Sequence, residues 1–413
     1  MKSSLPPQVP RVNGSCLAAF RKVTARFLGR AGLAALALVA IQTADGATGT
    51  ALAVDPSDIR TGAGFFPIAV WMQSPSHAAR YKELGINTYL GLWNGPTEEQ
   101  LAELARTGMS AITEQNEIGL KSVNRHVITG WMQRDEPDNA QLSALGGYGP
   151  CIPAIDVARR TREIIARDAT RPVTLIFGPG VADTAWKGRG ACSGDMNYYD
   201  IAVEDAGIIS FDIYPVGSDT ARVKGKLEYV AQGVVNLVKR ARGNQTVWTA
   251  VETTALDVRR PVKPLEVRAE VWMALIHGAK GICYFVHEFA PTFREDGIFR
   301  HPDIVKEVTD INRSLIGLAP VLNSENLNGR VAIESPVPIA TMLKRRGSDL
   351  YLFTVSMRNE ASEPRIFVDG VGDAVALVLN ENRTVSIRNG RFVDSFPGYG
   401  VHRYKIELRS ALH

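Results

Sequence analysis

Cysteine is scarce in this chain, with four among 413 residues. None of the three that follow the N-terminal region falls in a C-x-x-C pair, and the seven histidines show no metal-ligand spacing, so no zinc or dithiol motif is indicated. Charge of one sign is lacking too. Lys and Arg number 47 against 43 Asp and Glu, a net +4, and no long basic run occurs in the part that folds. That balance argues against an extended nucleic-acid surface. Phosphate-binding features are missing: there is no P-loop, and the first strand-to-helix turn has no G-x-G-x-x-G. No internal repeat or low-complexity segment appears, and nothing after residue 53 is long and apolar enough to span a bilayer.

What is present begins at the N-terminus. Arg21, Lys22, Arg26 and Arg30 precede the apolar stretch Ala31–Ile41, which is followed by small residues such as Ala51 and Ala53. A positive region, a short apolar core and a small-residue site describe an export signal. Residues 1–53 are therefore expected to be a signal peptide and export region. The mature protein is expected to be secreted or periplasmic, with no membrane partner after signal removal. Cys16 would leave with the signal. Cys283, inside "GICYFV", reads as a small core hydrophobe. Cys151 and Cys192 lie in the loop-like "GGYGPCIP" and "GRGACSGD" and are expected to form a disulfide. Closing a loop of that length stabilises by roughly 4 kcal/mol in the chain-entropy model.

From Phe65 onward, short β-branched or aromatic runs alternate with amphipathic stretches. The strand candidates are 65–71, 86–93, 109–115, 127–133, 172–178, 207–214, 246–252 and 281–287. Helical stretches between them start at Ser76, Thr97 or Pro264 and end at Gly85, Gly108 or Gly278. Eight strand–helix units over about 250 residues predict a (β/α)8 TIM barrel of parallel strands, an α/β fold, spanning 60–324. An open doubly wound sheet is the alternative, but it lacks its usual glycine fingerprint. After a last helix at 302–324 come seven short alternating runs separated by Asn359, Gly370, Asn382 and Gly390. They predict a small all-β sandwich domain over 328–413.

Barrel chemistry sits at the C-terminal ends of strands. The first strand end offers Trp71 and Gln73, the second Trp93 and Asn94, and the third Glu114 and Gln115. The fourth offers Arg134, Asp135, Glu136 and Asp138, the sixth Asp212 and Tyr214, the seventh Glu252, and the eighth His287 and Glu288. Aromatics, carboxylates and amides suit a neutral polyhydroxylated ligand, whose C–H faces stack on rings and whose hydroxyls need polar partners. Glu136 and Glu252, on strands across the barrel from one another, have the arrangement that glycosidic cleavage requires: one group protonates the leaving oxygen, while the other attacks or activates water. Crowding by Asp135 and Asp138 is expected to help keep Glu136 protonated.

The segments "RDEPD", "AVETT" and "GAKGICYFVHEF" resemble the clan A glycoside hydrolases, in particular the branch with a trailing β domain, as in family 42. The resemblance implies a retaining glycoside hydrolase with Glu136 as acid/base and Glu252 as nucleophile. One position departs from the clan: Asp135 stands where Asn usually precedes the acid/base glutamate. An Asp–Glu pair also resembles substrate-assisted hexosaminidases, in which Asp orients an acetamido group and Glu is the acid. Glu252 would then only bind.

The other residues carry expectations of their own. Trp71 and Trp93, at strand tips, read as sugar platforms, Trp131 as platform or core, and Trp248 and Trp272 as core. Tyr214 either hydrogen-bonds the nucleophile or packs against Pro215, and His287 either contacts substrate or caps its strand. Asp135 is a substrate-binding candidate, Glu288 a rim charge, Arg134 a neutraliser of the acidic cluster and Asp212 a structural hydrogen-bonder. No cofactor or metal is expected, and the expected partner is a carbohydrate. Two further readings stay open: a carbohydrate-binding barrel without catalysis, and a polysaccharide lyase using Arg134 and Tyr214.

Overall fold

The computed structural model describes residues 62–141, 149–186, 192–256 and 260–408. The expected signal region lies outside the described residues. Eight parallel strands close into a barrel in sequence order. They are β1 (Ile68–Trp71), β2 (Thr88–Leu90), β3 (Ser110–Glu114), β4 (Ile128–Met132), β5 (Val173–Phe177), β6 (Ile208–Phe211), β7 (Thr246–Glu252) and β8 (Gly281–Phe285). Every strand expected from the sequence is present.

Local chemistry explains where the helices begin and end. Thr97 and Gln100 form a reciprocal capping box on helix Glu98–Thr107, and Gly108 closes it in the left-handed region at φ 67°. Pro264 opens helix Pro264–Ile276 at a position where its missing N–H costs nothing.

Register assigns each strand residue to a face. Ala250 pairs with Cys283, Glu252 with Phe285, and Cys283 with Ala69. Neighbours in register share a face, and successive residues alternate. The intervening Tyr284 points outward, donating its hydroxyl to Asn312 of helix Pro302–Leu322 at 2.8 Å. Ala69, Cys283, Ala250, Phe285 and Glu252 therefore occupy inward positions. Likewise Leu175, Phe177 and Phe211 join a core with helix residues Val157, Val230 and Val234. That leaves Ile176 and Ser210 inward, paired in register.

The C-terminal region adds β9 (Val331–Glu334), β10 (Ile339–Arg346), β11 (Asp349–Ser356), β12 (Arg365–Val368), β13 (Ala374–Val378), β14 (Arg383–Ile387), β15 (Arg391–Val393) and β16 (Val401–Glu407). They form a five-stranded sheet in the order β10-β11-β16-β13-β14 and a three-stranded sheet, β15-β12-β9. The three-residue β15 was not among the expected runs. Between the sheets lie Leu350, Leu352, Ile366, Val368, Tyr404 and Ile406. The larger sheet also packs on the barrel helices: Phe353 of β11 stacks on Trp272 with centroids 5.1 Å apart and planes 18° apart. Such a pair contributes about 1 kcal/mol beyond its buried area. The β region thus shares the barrel's main core, which includes Phe353, Val355, Tyr399 and Val401.

Cys151 and Cys192 are disulfide-bonded, as expected, joining the segment after β4 to the segment after β5. Cys283 is a buried free thiol inside the barrel.

Candidate functional site

Three residues at strand ends carry positive φ although none is glycine: Met72 (45°), Asn94 (52°) and Glu136 (45°). Each such conformation costs about 1 kcal/mol or more and persists only where surrounding contacts hold it. At Glu136 the holding contacts are visible. Its N–H donates to Ile176 O at 3.0 Å. Its carbonyl accepts from Gln141 Nε2 at 2.9 Å, and its Oε2 accepts from Asn139 Nδ2 at 3.2 Å. The carboxyl group lies over Gly178, where an added Cβ would meet Oε1 at 2.9 Å. Gly178 follows inward-facing Ile176 by two residues, so the carboxyl of Glu136 sits at the inner edge of β5. Glu136 is 4 % exposed.

The acidic cluster divides by direction. Asp138 turns away into a buried network, accepting Gly178 N–H at 3.0 Å and the Tyr199 hydroxyl at 2.8 Å. Burial pushes its carboxyl up despite those donors. Asp138 is therefore an anchor for the strand ends. Asp135 is part-buried and reaches inward: its charge raises both Asp212 and Cys283. Asp212, two residues beyond inward-facing Ser210, is held well above the usual carboxylate range. Burial is the main cause, followed by the charges of Asp135 and Asp138. It accepts a hydrogen bond from Tyr214. Its Oδ1 is buried without a hydrogen-bond partner among the described residues. An unpaired acceptor in the interior costs free energy unless a ligand or water reaches it.

Trp71 is inward and 6 % exposed, more enclosed than a platform at a rim. Its indole N–H has no partner among the described residues, so β1 and β6 bring an unpaired donor and an unpaired acceptor to the inner face of the barrel. Trp93 is part-buried after β2. Trp131 belongs to the outer core, donating to Asp168 at 3.0 Å. Trp248 and Trp272 are core residues.

The end of β8 supplies rings. Phe285 lies 5.0 Å from Tyr214 and from His287, and 6.2 Å from Phe289. Phe293 lies 5.9 Å from His287 and 5.6 Å from Phe289. Phe289 and Phe293 are part-exposed, so the aromatic wall reaches solvent. Sequence reasoning passed over Phe285, Phe289 and Phe293, although Phe285, His287 and Phe289 alternate in "FVHEF", which places them on one face of an extended chain. His287 is fully buried beside Gln73, with 3.1 Å between ring Nε2 and amide Nε2. Burial pushes its imidazole down to about 3, so it stays neutral.

One charge lies elsewhere than expected. Glu288 is no rim charge: it is buried and bonded to Arg300 at 3.2 Å and His301 at 2.6 Å, because the β8 segment folds back through the Glu288–Arg294 bridge. Arg134 is exposed.

Glu252 occupies an inward position by register, yet its carboxyl is 0 % exposed and turns to Glu270 of helix Pro264–Ile276, in the layer outside the strands. Oε1 accepts Val216 N–H at 2.6 Å and Oε2 accepts Gly217 N–H at 2.9 Å, both from the loop after β6. Burial pushes it up to about 7, partly offset by these two amides. The structure thus gathers Glu136, Asp135, Asp212, Tyr214, Trp71 and the β8 rings around one end of the barrel, with Glu252 enclosed behind the β6 loop. Among the described residues no cluster of His, Cys, Asp and Glu could hold a metal ion, and no helix is long and apolar enough to cross a membrane.

No family model and no curated protein matches the sequence. Solved structures do share the fold. One is a candidate α-galactosidase from Bacteroides fragilis, 9 % identical, with 84 % of this chain and 80 % of that chain covered and a TM-score of 0.53. Another, described as a glycoside hydrolase, is 11 % identical over 84 % of this chain and 93 % of its own, with a TM-score of 0.52. At such identities the likeness establishes the shared architecture of this chain: an eight-stranded parallel barrel followed by a β sandwich.

Proposed function

We propose that this protein hydrolyses glycosidic bonds at the C-terminal end of the barrel, with Glu136 as the general acid. The observation that carries the reading is the placement of the Glu136 carboxyl. A strained backbone and Asn139 hold it at the inner edge of β5, beside the Asp135–Asp212–Tyr214 group and the aromatic wall. Architectural likeness to proteins described as a glycoside hydrolase and a candidate α-galactosidase supports the same class of chemistry. In the step proposed, Glu136 gives its proton to the leaving oxygen as the bond to the anomeric carbon breaks. Water supplies the hydroxyl that finally replaces it, and Glu136 regains a proton.

For the group assisting at the anomeric carbon, the geometry favours Asp135. It is part-exposed, inward, and coupled by charge to Asp212, which Tyr214 holds. A carboxylate so placed suits orientation of an acetamido group on the substrate, whose carbonyl oxygen then acts as internal nucleophile. Glu252 as the nucleophile of a retaining double displacement is the second reading. Its place at the end of β7 and its two amide donors favour that role, but its enclosure beside Glu270 requires the carboxyl to turn into the barrel mouth when substrate binds.

The test is hydrolysis of 4-nitrophenyl glycosides, with and without a 2-acetamido group. Glu136→Gln is expected to lower kcat by about 10²- to 10⁴-fold, the usual contribution of a positioned acid. Turnover of every cleaved glycoside at the wild-type rate by that variant rejects the assignment.

A further inference from the structure

We propose that the C-terminal β domain is a positioning device for the active end of the barrel, acting through Tyr399 on the loop after β6. That loop carries Tyr214, which bonds Asp212, and the Val216 and Gly217 amides that hold Glu252. Its far end is tied back to its start, since Gly225 N–H donates to Pro215 O at 2.8 Å. Gly225 O, in turn, accepts the Tyr399 hydroxyl at 2.6 Å. The β domain thus reaches the residue next to Tyr214 through two hydrogen bonds in series.

Tyr399 is built for this reach. It sits at φ 57°, a conformation a large side chain adopts only under constraint. The constraint is local: Tyr399 N–H donates to Arg358 O at 2.8 Å, and Gly398 packs so closely on Asn359 that a Cβ would lie 2.5 Å from Oδ1. Arg358 makes its own tie to the barrel, bonding Glu228 just beyond the loop at 2.6 Å. Tyr399 is 5 % exposed and packs in the core shared with Leu227 and Val262. A strained tyrosine thus projects from one domain onto a backbone carbonyl of the other. Its effect on catalysis rests on the glycosidase reading, whereas its hold on the loop does not.

Hydrogen–deuterium exchange of the full chain separates the two. In Tyr399→Phe, peptides spanning 213–227 are expected to exchange about fivefold faster, the effect of losing one net hydrogen bond. Tyr404→Phe serves as control, since its hydroxyl donates to Asp394 at 2.7 Å within the β domain. It is expected to leave those peptides at the wild-type rate. Unchanged exchange in Tyr399→Phe, or equal acceleration in both variants, overturns the proposal. With the 4-nitrophenyl glycoside that the wild type cleaves fastest, Tyr399→Phe is expected to lower kcat severalfold at unchanged KM. Faster exchange with kcat unchanged overturns the positioning role. A wild type that cleaves none of these glycosides counts against the glycosidase reading alone, and the exchange rates still decide the loop contact.

Discussion

The carboxyl group of Glu270, on helix Pro264–Ile276, lies beside that of Glu252 at the end of β7, and neither side chain is exposed. Two acids sharing an enclosed space cannot both ionise cheaply, and here Glu252 raises Glu270 while the hydrogen bond from Glu270 lowers Glu252 in part. Burial is the first cause for both, and Glu252 is pushed up to about 7 while Glu270 is held well above the usual range. The sign of the linkage follows. Carboxyls raised in the folded state bind more protons there than in the unfolded chain, so stability falls as pH rises from the ordinary glutamate value near 4.5 through about 7. Glu270→Gln removes one acid and part of that slope. The fall in Tm between pH 5 and pH 8 is expected to be smaller in the variant than in the wild type. Asp138 and Asp212 are raised as well and leave a residual slope in both proteins. Parallel Tm–pH curves for variant and wild type contradict a carboxyl at Glu270 raised by its burial beside Glu252.

The roles of Asp135 and Glu252 separate by chemical rescue. If Asp135 orients an acetamido group, Asp135→Asn lowers kcat on 2-acetamido glycosides at least about 10²-fold and spares whatever activity exists on glycosides lacking that group. Glu252→Ala then loses stability, and azide restores nothing. Azide rescue of Glu252→Ala with formation of a glycosyl azide identifies Glu252 as the nucleophile and rejects the Asp135 assignment.

Asp138 offers a stability prediction independent of any substrate. It is fully buried and accepts from Gly178 N–H, the Tyr199 hydroxyl and, at 3.5 Å, the Ser193 hydroxyl. Asp138→Ala leaves the first two donors unpaired in the interior and is expected to cost about 3 kcal/mol. Tyr199→Phe removes a single donor and is expected to cost about 1 kcal/mol. Denaturant midpoints at constant m-value measure both; equal costs for the two variants mean that the network is not centred on Asp138.

Much of this architecture was legible because it follows from periodicity. Eight alternating runs of β-branched and aromatic residues, separated by capped amphipathic segments, leave few folds other than a barrel. β15 escaped because three residues, "RFV", show no period. The candidate site was legible in position and less so in direction. Asp135, Glu136 and Asp138 fall within four consecutive positions, yet the positive φ at Glu136 sends the three carboxyls to different places. No pattern in residue type encodes that angle. The enclosure of Glu252 depends on amides 35 and 36 positions away, contacts that only the closed barrel creates. The ring alternation of Phe285, His287 and Phe289 was written in the sequence; its partner Tyr214 comes from another strand end.

Cys151 and Cys192 are separated by 41 positions and bridge the segments that follow β4 and β5. Those segments also hold the site's framework: Ile152 N–H donates to Pro137 O at 2.9 Å, the Tyr198 hydroxyl donates to Ile152 O at 2.8 Å, and Ser193 faces Asp138. Cross-linking a loop of this length removes unfolded-chain entropy worth about 4 kcal/mol at most. The double variant Cys151→Ser, Cys192→Ser is therefore expected to unfold at lower denaturant by up to that amount. Because the bridge ties down the chain beside Pro137, the loss should also reach Glu136, seen as faster amide exchange in peptides spanning 134–141. Reductant should lower the wild-type midpoint towards that of the variant and leave the variant unchanged. A wild-type midpoint insensitive to reductant under conditions that free both thiols shows that the bridge adds nothing to folding, and that the hydrogen bonds around Ile152 and Asp138 hold these segments without it.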